Sequence, residues 1–127
     1  MSAATVNVRY MVDNVEAAVA WYTKHLGFTL HTNAAPAFAD VTLGPLRLLL
    51  SGPKSSAGRP MADGSNPGPG GWNRIHLIVD DIAAEVARLR QAGVQFRNDI
   101  VFGPGGSQVL LQDPSGNLVE LFQAARR

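Results

Sequence analysis

The sequence predicts an α+β fold made of two βαβββ modules whose strands form a cupped mixed sheet. Three observations support this prediction. A β-branched strand followed by a capped helix begins near residue 6 and again near residue 73. Short apolar runs separated by Gly and Pro turns follow each helix. A long segment rich in Gly and Pro separates the two copies.

The first module is expected over about residues 4–52. A β-branched strand leads to Asp13, which has the spacing of a capping box with Glu16. Apolar residues then recur at helical spacing as far as Gly27, which is placed to end the helix in the left-handed conformation. Strands follow the helix, and Gly44 lies in the turn between two of them.

The second module is expected over about residues 73–124. Its segment 79–82 repeats the capping pattern of the first module, and Gly93 is placed to end the helix. Turns at residues 103–106 and 113–116 separate the strands that follow. Both halves therefore have the order β-α-β-β-β, which predicts an internal repeat.

Residues 53–72 show no hydrophobic period and are dense in Gly, Pro and Ser, which is typical of a linker between the modules. Neither module can bury its apolar face alone, so the two should pair. Their sheets leave open edges, and open edges favour pairing with another chain. We therefore expect a homodimer.

Composition excludes several classes of function. The chain has 127 residues, a net charge of +1 and no basic run, which argues against a nucleic-acid or membrane partner. It has no Cys, which excludes disulfides, thiolate metal sites and a Cys nucleophile. Nothing at the beginning of the chain resembles a signal peptide, and we expect a cytoplasmic protein.

Glu120 is the first candidate site residue, because it shares a strand face with the apolar Leu118 and Phe122. A buried carboxylate must be paired, protonated or bound to a metal. The alternative is that this face is exposed to water, which would leave Glu120 simply solvated.

Alternation along two further strands adds four polar candidates. Arg74 and His76 share a face of one strand, and Asn7 and Arg9 share a face of the equivalent strand in the first module. If these faces line one concavity, it contains all four residues and Glu120. The alternatives are a packed or edge histidine at position 76 and ordinary surface charge at the two arginines.

Motifs spread over nearly the whole chain resemble the vicinal oxygen chelate superfamily, which includes glyoxalase I, extradiol dioxygenases and the fosfomycin and bleomycin resistance proteins. The matching segments are Asp13-Asn14-Val15, Trp21-Tyr22, Leu26-Gly27-Phe28, Val79-Asp80-Asp81-Ile82, Leu89, Gly93-Val94, Asp113-Pro114-Ser115-Gly116-Asn117 and Glu120-Leu121. The resemblance implies the paired βαβββ fold and a binding cavity on the sheet.

In metal-using members of that superfamily, four strand positions supply His, Gln or Glu ligands to a divalent ion. The resemblance places these positions at Asn7, Leu48, Arg74 and Glu120, of which only Glu120 matches. Leu48 has no donor atom, and Arg74 carries a permanent positive charge that would repel a metal ion. The guanidinium of Arg74 could instead neutralise Glu120.

The resemblance therefore favours a protein that binds a small organic molecule, antibiotic-like or anionic, without a metal cofactor. The expected ligand-binding residues are Asn7, Arg9, Leu48, Trp72, Arg74, His76 and Glu120. The alternative is a divalent-metal-dependent lyase, isomerase or dioxygenase, in which His76 and Glu120 would be ligands. The sequence leaves open whether any reaction is catalysed, and it assigns no catalytic residue.

Overall fold

The computed structural model describes residues 6–126. These residues form two compact units, of which unit 1 ends at Gly70 and unit 2 begins at Gly71. Residues 4 and 5, with which the first predicted module begins, lie outside the described range.

Unit 1 contains a four-stranded mixed sheet and one α-helix. Its elements are β1 (Val6–Met11), α1 (Val15–Leu26), β2 (Thr29–Ala34), β3 (Phe38–Leu43), β4 (Leu46–Ser51) and a one-turn 3₁₀ helix (Ser56–Gly58). The strand order is β1-β4-β3-β2, in which β1 and β4 are parallel and the other pairs are antiparallel. The predicted order β-α-β-β-β is confirmed for this half.

The first helix begins one residue later than the capping-box spacing predicted. Asn14 is its N-cap, and the Asn14 side chain accepts a hydrogen bond from the Ala17 amide at 2.9 Å. The N-cap residue is therefore Asn14 and not Asp13. The predicted C-terminus is confirmed, because Gly27 has a φ of 73° and its N–H donates to the Tyr22 carbonyl.

The two faces of the unit 1 sheet differ in character. Val41, Leu48 and Leu50 are fully buried and belong to one face, where α1 packs against β3 and β4. The opposite face carries polar residues, because β1, β3 and β4 each alternate apolar and polar side chains. The two residues of unit 1 that are predicted for the site, Asn7 and Arg9, belong to the face away from α1.

Unit 2 contains one α-helix and a five-stranded mixed sheet. Its elements are β5 (Ile75–Ile78), α2 (Ile82–Gln91), β6 (Gln95–Phe96), β7 (Val101–Gly103), β8 (Gly106–Gln112) and β9 (Leu118–Ala124). The order is β5-β9-β8-β6, and β7 also pairs with β8. β5 is parallel to β9, as β1 is to β4 in unit 1.

The prediction of four strands in this half is wrong by one, because the strand after α2 is interrupted. Both β6 and β7 pair with β8, with Arg97 to Ile100 between them. At the interruption, the Asn98 side chain accepts a hydrogen bond from the Leu110 amide at 2.9 Å. This side-chain bond replaces a backbone ladder bond and satisfies the Leu110 donor.

The segment 53–72 is a connection with local structure of its own. Ser55 is buried, its hydroxyl donates to the Gly52 carbonyl at 2.6 Å, and its side chain caps the 3₁₀ helix. Neither α-helix in the described part of the chain has the length and apolar character needed to cross a lipid bilayer. The α+β class predicted from the sequence is confirmed.

Candidate functional site

The candidate site of unit 2 is built around Glu120 in β9. Val119 and Leu121, its neighbours along the strand, are buried on the opposite face from Glu120. Glu120 is itself only 7% exposed, so the solvated alternative does not hold. A carboxylate at this depth requires partners, because an unpaired buried charge costs several kcal/mol.

Arg74 is the first of these partners. Its Nε donates to Glu120 Oε1 at 3.0 Å, and its Nη2 lies 2.9 Å from the same oxygen. Its Nη1 donates to the Trp72 backbone carbonyl at 3.1 Å. All three guanidinium nitrogens thus have acceptors, which fixes the orientation of the guanidinium plane. The predicted pairing of Arg74 with Glu120 is present.

His76 is the second partner of Glu120. The two residues are direct register partners in the parallel β5–β9 pair and therefore point to the same face. His76 Nε2 lies 3.4 Å from Glu120 Oε2, and the imidazole lies 4.8 Å from the Phe122 ring. Its side chain is 45% exposed, so the imidazole lies at the solvent-accessible edge of the group.

Trp72 precedes β5 and presents most of its indole to solvent, with 63% exposure. The guanidinium of Arg97 lies 4.8 Å from the indole ring centre, a cation–π distance. Arg74 holds the backbone carbonyl of Trp72 by a hydrogen bond, and the indole ring of Trp72 remains accessible. The exposed indole is therefore accessible to a ligand or to another chain.

In unit 1, Asn7 and Arg9 lie on the sheet face away from α1, as the alternation predicts. Asn7 is the register partner of Arg47, and Arg9 is the partner of Leu49. Arg9 Nη1 donates to the hydroxyl of the fully buried Ser51 at 2.8 Å.

Leu48 does not share the face of Asn7 and Arg9. It pairs with Val8 and is fully buried on the face covered by α1, where no ligand can reach it. Its expected place in the site is therefore wrong by one residue. Leu49, which is half-buried, lies on the face of Arg9. A strand alternates strictly, so a shift of one position moves a side chain to the other face.

The sequence reasoning missed a charged cluster on this face, which we call the Asp40 cluster: Asp40, Arg47, His31 and Thr32. Asp40 is fully buried. Its Oδ2 accepts from Arg47 Nε at 2.7 Å and from Arg47 Nη2. Its Oδ1 accepts from the Thr32 amide at 2.8 Å and contacts His31 Nδ1 at 3.0 Å. A bulge between Leu30 and Thr32 brings His31 and the Thr32 amide to the same oxygen.

These contacts determine the charge of Asp40. Burial raises the pKa of the Asp40 carboxyl, but the hydrogen bonds from Arg47, the Thr32 amide and His31 outweigh burial and hold this pKa below its ordinary value. An ionised carboxylate only accepts hydrogen bonds, so His31 Nδ1 must carry a proton. The signal available in the sequence was the lone acid in the strand 38–43, which is the same signal that identified Glu120.

A separate cavity of about 230 Å³ lies beside the N-terminus of α1. It is lined by Asp13, Asn14, Val15, Glu16, Pro36, Pro53 and Lys54. None of the predicted ligand-binding residues lines it.

Comparison with known families identifies the fold. The family model described as the Glyoxalase/Bleomycin resistance protein/Dioxygenase superfamily matches residues 5–121. The chain belongs to this superfamily. A search of curated proteins found no significant match.

Solved structures of the superfamily fold resemble the chain over nearly its full length. A superfamily member from Sphaerobacter thermophilus DSM 20745 is 27% identical, with a TM-score of 0.77 and coverage of 96% of this chain and 98% of that chain. TnmS3, an antibiotic binding protein from Streptomyces sp. CB03234, is 23% identical, with a TM-score of 0.74 and 98% of each chain covered. A lactoylglutathione lyase from Agrobacterium tumefaciens is 23% identical, with a TM-score of 0.72 and coverage of 96% and 94%. At 23% identity, the likeness to the last two shows the fold alone.

The potential metal ligands of this chain differ from those that the resemblance implies for metal-using members of the superfamily. In unit 2, Glu120 and His76 are the potential ligands that contact each other, and Arg74 holds one oxygen of Glu120. Within residues 6–126, no three His, Cys, Asp or Glu side chains lie together in a group that could hold a metal ion. Glu120 and His76 supply two of the roughly three protein ligands that a catalytic metal site needs.

Proposed function

We propose that the protein binds a small organic molecule on the sheet face that carries Glu120 and does so without a metal ion. The observation that carries the proposal is the Arg74–Glu120 ion pair. Arg74 occupies a position that the resemblance assigns to a metal ligand, and its guanidinium neutralises the carboxylate that a metal would have neutralised. The charge of the site is therefore balanced by the chain itself.

The surroundings of the pair suit a planar or partly apolar ligand. His76 presents an imidazole that is half exposed and lies tilted against the Phe122 ring, and Trp72 presents an accessible indole. Aromatic surfaces of this kind bind flat organic molecules at low entropic cost. The fold shared with the antibiotic binding protein TnmS3 supports an antibiotic-like ligand as one candidate class.

A second candidate is a divalent-metal-dependent lyase, isomerase or dioxygenase, and the fold shared with a lactoylglutathione lyase supports it. The specific observation in its favour is the 3.4 Å approach of His76 Nε2 to Glu120 Oε2, which places two potential ligands side by side. This function requires Arg74 to leave Glu120 and a further ligand to join the pair.

Metal titration of a matched pair of proteins tests the two candidates. The wild-type chain should contain less than stoichiometric Zn²⁺, Ni²⁺, Mn²⁺ or Fe²⁺ when purified without added metal, and none of these ions should raise its melting temperature. Arg74→His replaces the cation by an imidazole beside Glu120 and His76 and should gain affinity for Zn²⁺ or Ni²⁺. His25→Gln, which removes a histidine of α1, is the control and should behave as the wild type.

The metal-free proposal would be refuted if the wild-type chain bound stoichiometric metal and Glu120→Gln did not. That result would favour the metal-dependent enzyme. If the wild-type chain takes up no metal, a thermal-shift screen of planar organic compounds, antibiotics included, tests binding itself. Compounds that stabilise the wild-type chain but not Trp72→Ala or His76→Ala would support the proposed site.

A further inference from the structure

Among the described residues 6–126, Arg9 has no carboxylate partner, and it lies on the face of the unit 1 sheet away from α1. Arg9 is exposed, and its Nη1 donates to the Ser51 hydroxyl at 2.8 Å. Across residues 6–126, no carboxylate lies within ion-pair distance of Arg9. Ser51 anchors one nitrogen of the guanidinium and leaves its remaining N–H groups for another acceptor.

The carboxylate on the same sheet face cannot serve as that acceptor. Asp40 is on the face of Arg9, because both residues are register partners of Leu49. Both Asp40 oxygens are already occupied, Oδ2 by Arg47 and Oδ1 by the Thr32 amide and His31. Full burial of Asp40 leaves no room for a further donor. A carboxylate that pairs with Arg9 would therefore have to come from outside this sheet.

The neighbours of Arg9 on this face are partly apolar. Leu49 is its direct partner across β1 and β4, and Met11 follows it by two residues along β1. Phe38 lies on the same face, as the partner of Ser51. All three apolar side chains are only partly buried, so they present accessible surface beside the guanidinium.

We propose that Arg9 binds the oxyanion group of an organic acid whose apolar part covers Leu49 and Met11. The forked N–H groups of Arg9 match a carboxylate, sulfonate or phosphate, and the apolar side chains exclude water from the contact. Ser51 holds the guanidinium in place before the ligand arrives, which reduces the entropic cost of binding. This inference rests on the proposal that the protein binds small organic molecules, and it names the chemical class that the sheet of unit 1 would bind.

Two fluorescent probes that differ in one group test the proposal. The anionic probe is 8-anilinonaphthalene-1-sulfonate, and the matched neutral probe is N-phenyl-1-naphthylamine, which has the same ring system without the sulfonate. The wild-type chain should bind the sulfonate about tenfold more tightly than the amine, which is the effect of one charged hydrogen-bonding contact. Arg9→Gln should remove this preference and leave the affinity for the amine unchanged.

Arg59→Gln is the matched control, because Arg59 is an exposed arginine of unit 1 that lies outside the sheet. It should keep the full preference for the sulfonate, and Arg9→Lys should keep part of it because the charge remains. Circular dichroism should show that each variant melts as the wild type does, since molten states also bind the sulfonate probe.

The role of Arg9 would be overturned if the wild-type chain bound the two probes equally well. It would also be overturned if Arg9→Gln and Arg59→Gln lost the preference for the sulfonate to the same extent. Either result would leave the proposed function standing. Failure of both probes to bind the wild-type chain would overturn this inference and count against small-molecule binding as well. If inorganic phosphate displaced the sulfonate probe as well as an aromatic carboxylate does, the requirement for an apolar part of the ligand would be overturned.

Discussion

Arg74 places two guanidinium nitrogens on one oxygen of Glu120, Nε at 3.0 Å and Nη2 at 2.9 Å from Oε1. The second oxygen of the same carboxylate faces His76 Nε2 at 3.4 Å. Arg74 therefore occupies one oxygen of the carboxylate, and His76 lies beside the other. This arrangement is the basis of the first two predictions.

Removal of Arg74 should destabilise the chain. Arg74→Ala leaves Glu120 buried and without its main partner, and we expect the free energy of unfolding to fall by about 2 kcal/mol. The value lies below that of a fully buried pair because the Arg74 side chain is 29% exposed. Urea denaturation measures the change. The control Arg88→Ala breaks an exposed pair with Glu85 and should cost about 0.5 kcal/mol or less.

Removal of both charges should cost less than removal of Arg74 alone. In Arg74→Met combined with Glu120→Leu, no buried charge is left without a partner, so we expect the double variant to be more stable than the single variant Arg74→Met. Denaturation curves of the four proteins of the mutant cycle give the coupling energy. A double variant as unstable as the sum of its single variants would show that the pair does not interact.

The stability that Asp40 contributes should depend on pH. Its pKa in the folded chain lies below the unfolded value of about 3.9, so its contribution is complete above that pH and is lost as the pH falls through the lower folded pKa. Asp40→Asn should lower the free energy of unfolding by about 3 kcal/mol at pH 7, and this difference should shrink below about pH 4.

Urea denaturation at pH 7 and pH 3 measures both differences, and Asp99→Asn is the control, since the Asp99 side chain is 98% exposed. A gap between the wild type and Asp40→Asn that is as large at pH 3 as at pH 7 would contradict the assignment of Asp40 as an ionised carboxylate.

Gly106, at the start of β8, should not tolerate a side chain. Its φ is 148°, and an added Cβ would lie 2.2 Å from the Gln123 carbonyl oxygen and 2.8 Å from the Phe122 ring. Gly106→Ala should therefore destabilise by about 3 kcal/mol, because the backbone of β9 must move. Gly68→Ala, at a position where a Cβ meets nothing within 4 Å, should be close to neutral. Thermal denaturation of both variants distinguishes the two outcomes.

Trp72 should report ligand binding. In Trp21→Phe, which leaves Trp72 as the remaining tryptophan, iodide should quench the fluorescence efficiently because the indole is 63% exposed. A ligand found in the thermal-shift screen should reduce this quenching by covering the ring. Quenching that is unchanged with bound ligand would remove Trp72 from the site.

The homodimer remains a prediction that light scattering can test. β1 and β5 each form an open edge of their sheet, and the exposed Ile78 belongs to β5. At micromolar concentration we expect twice the chain mass of 13.5 kDa. Ile78→Lys should weaken the dimer, and Ala87→Lys on the exposed side of α2 should not. A monomer at this concentration would exclude the prediction.

The sequence by itself determined the α+β fold, the β-α-β-β-β order of unit 1 and the face of Glu120, because local periodicity and turn residues encode them. It did not show that the strand after α2 is interrupted into β6 and β7. It also indicated the pairing of Arg74 with Glu120, since a carboxylate on an apolar strand requires a partner. The resemblance placed Leu48 in the site by its motif position, but the structure puts Leu48 on the covered face of β4 and Leu49 on the face of Arg9. Only the tertiary structure brought Asp40, Arg47 and His31 together, because strand pairing and a bulge at His31 decide which distant side chains meet. Within residues 6–126, that buried cluster already uses the carboxylate on the sheet face of Arg9, which no local pattern in the sequence could show.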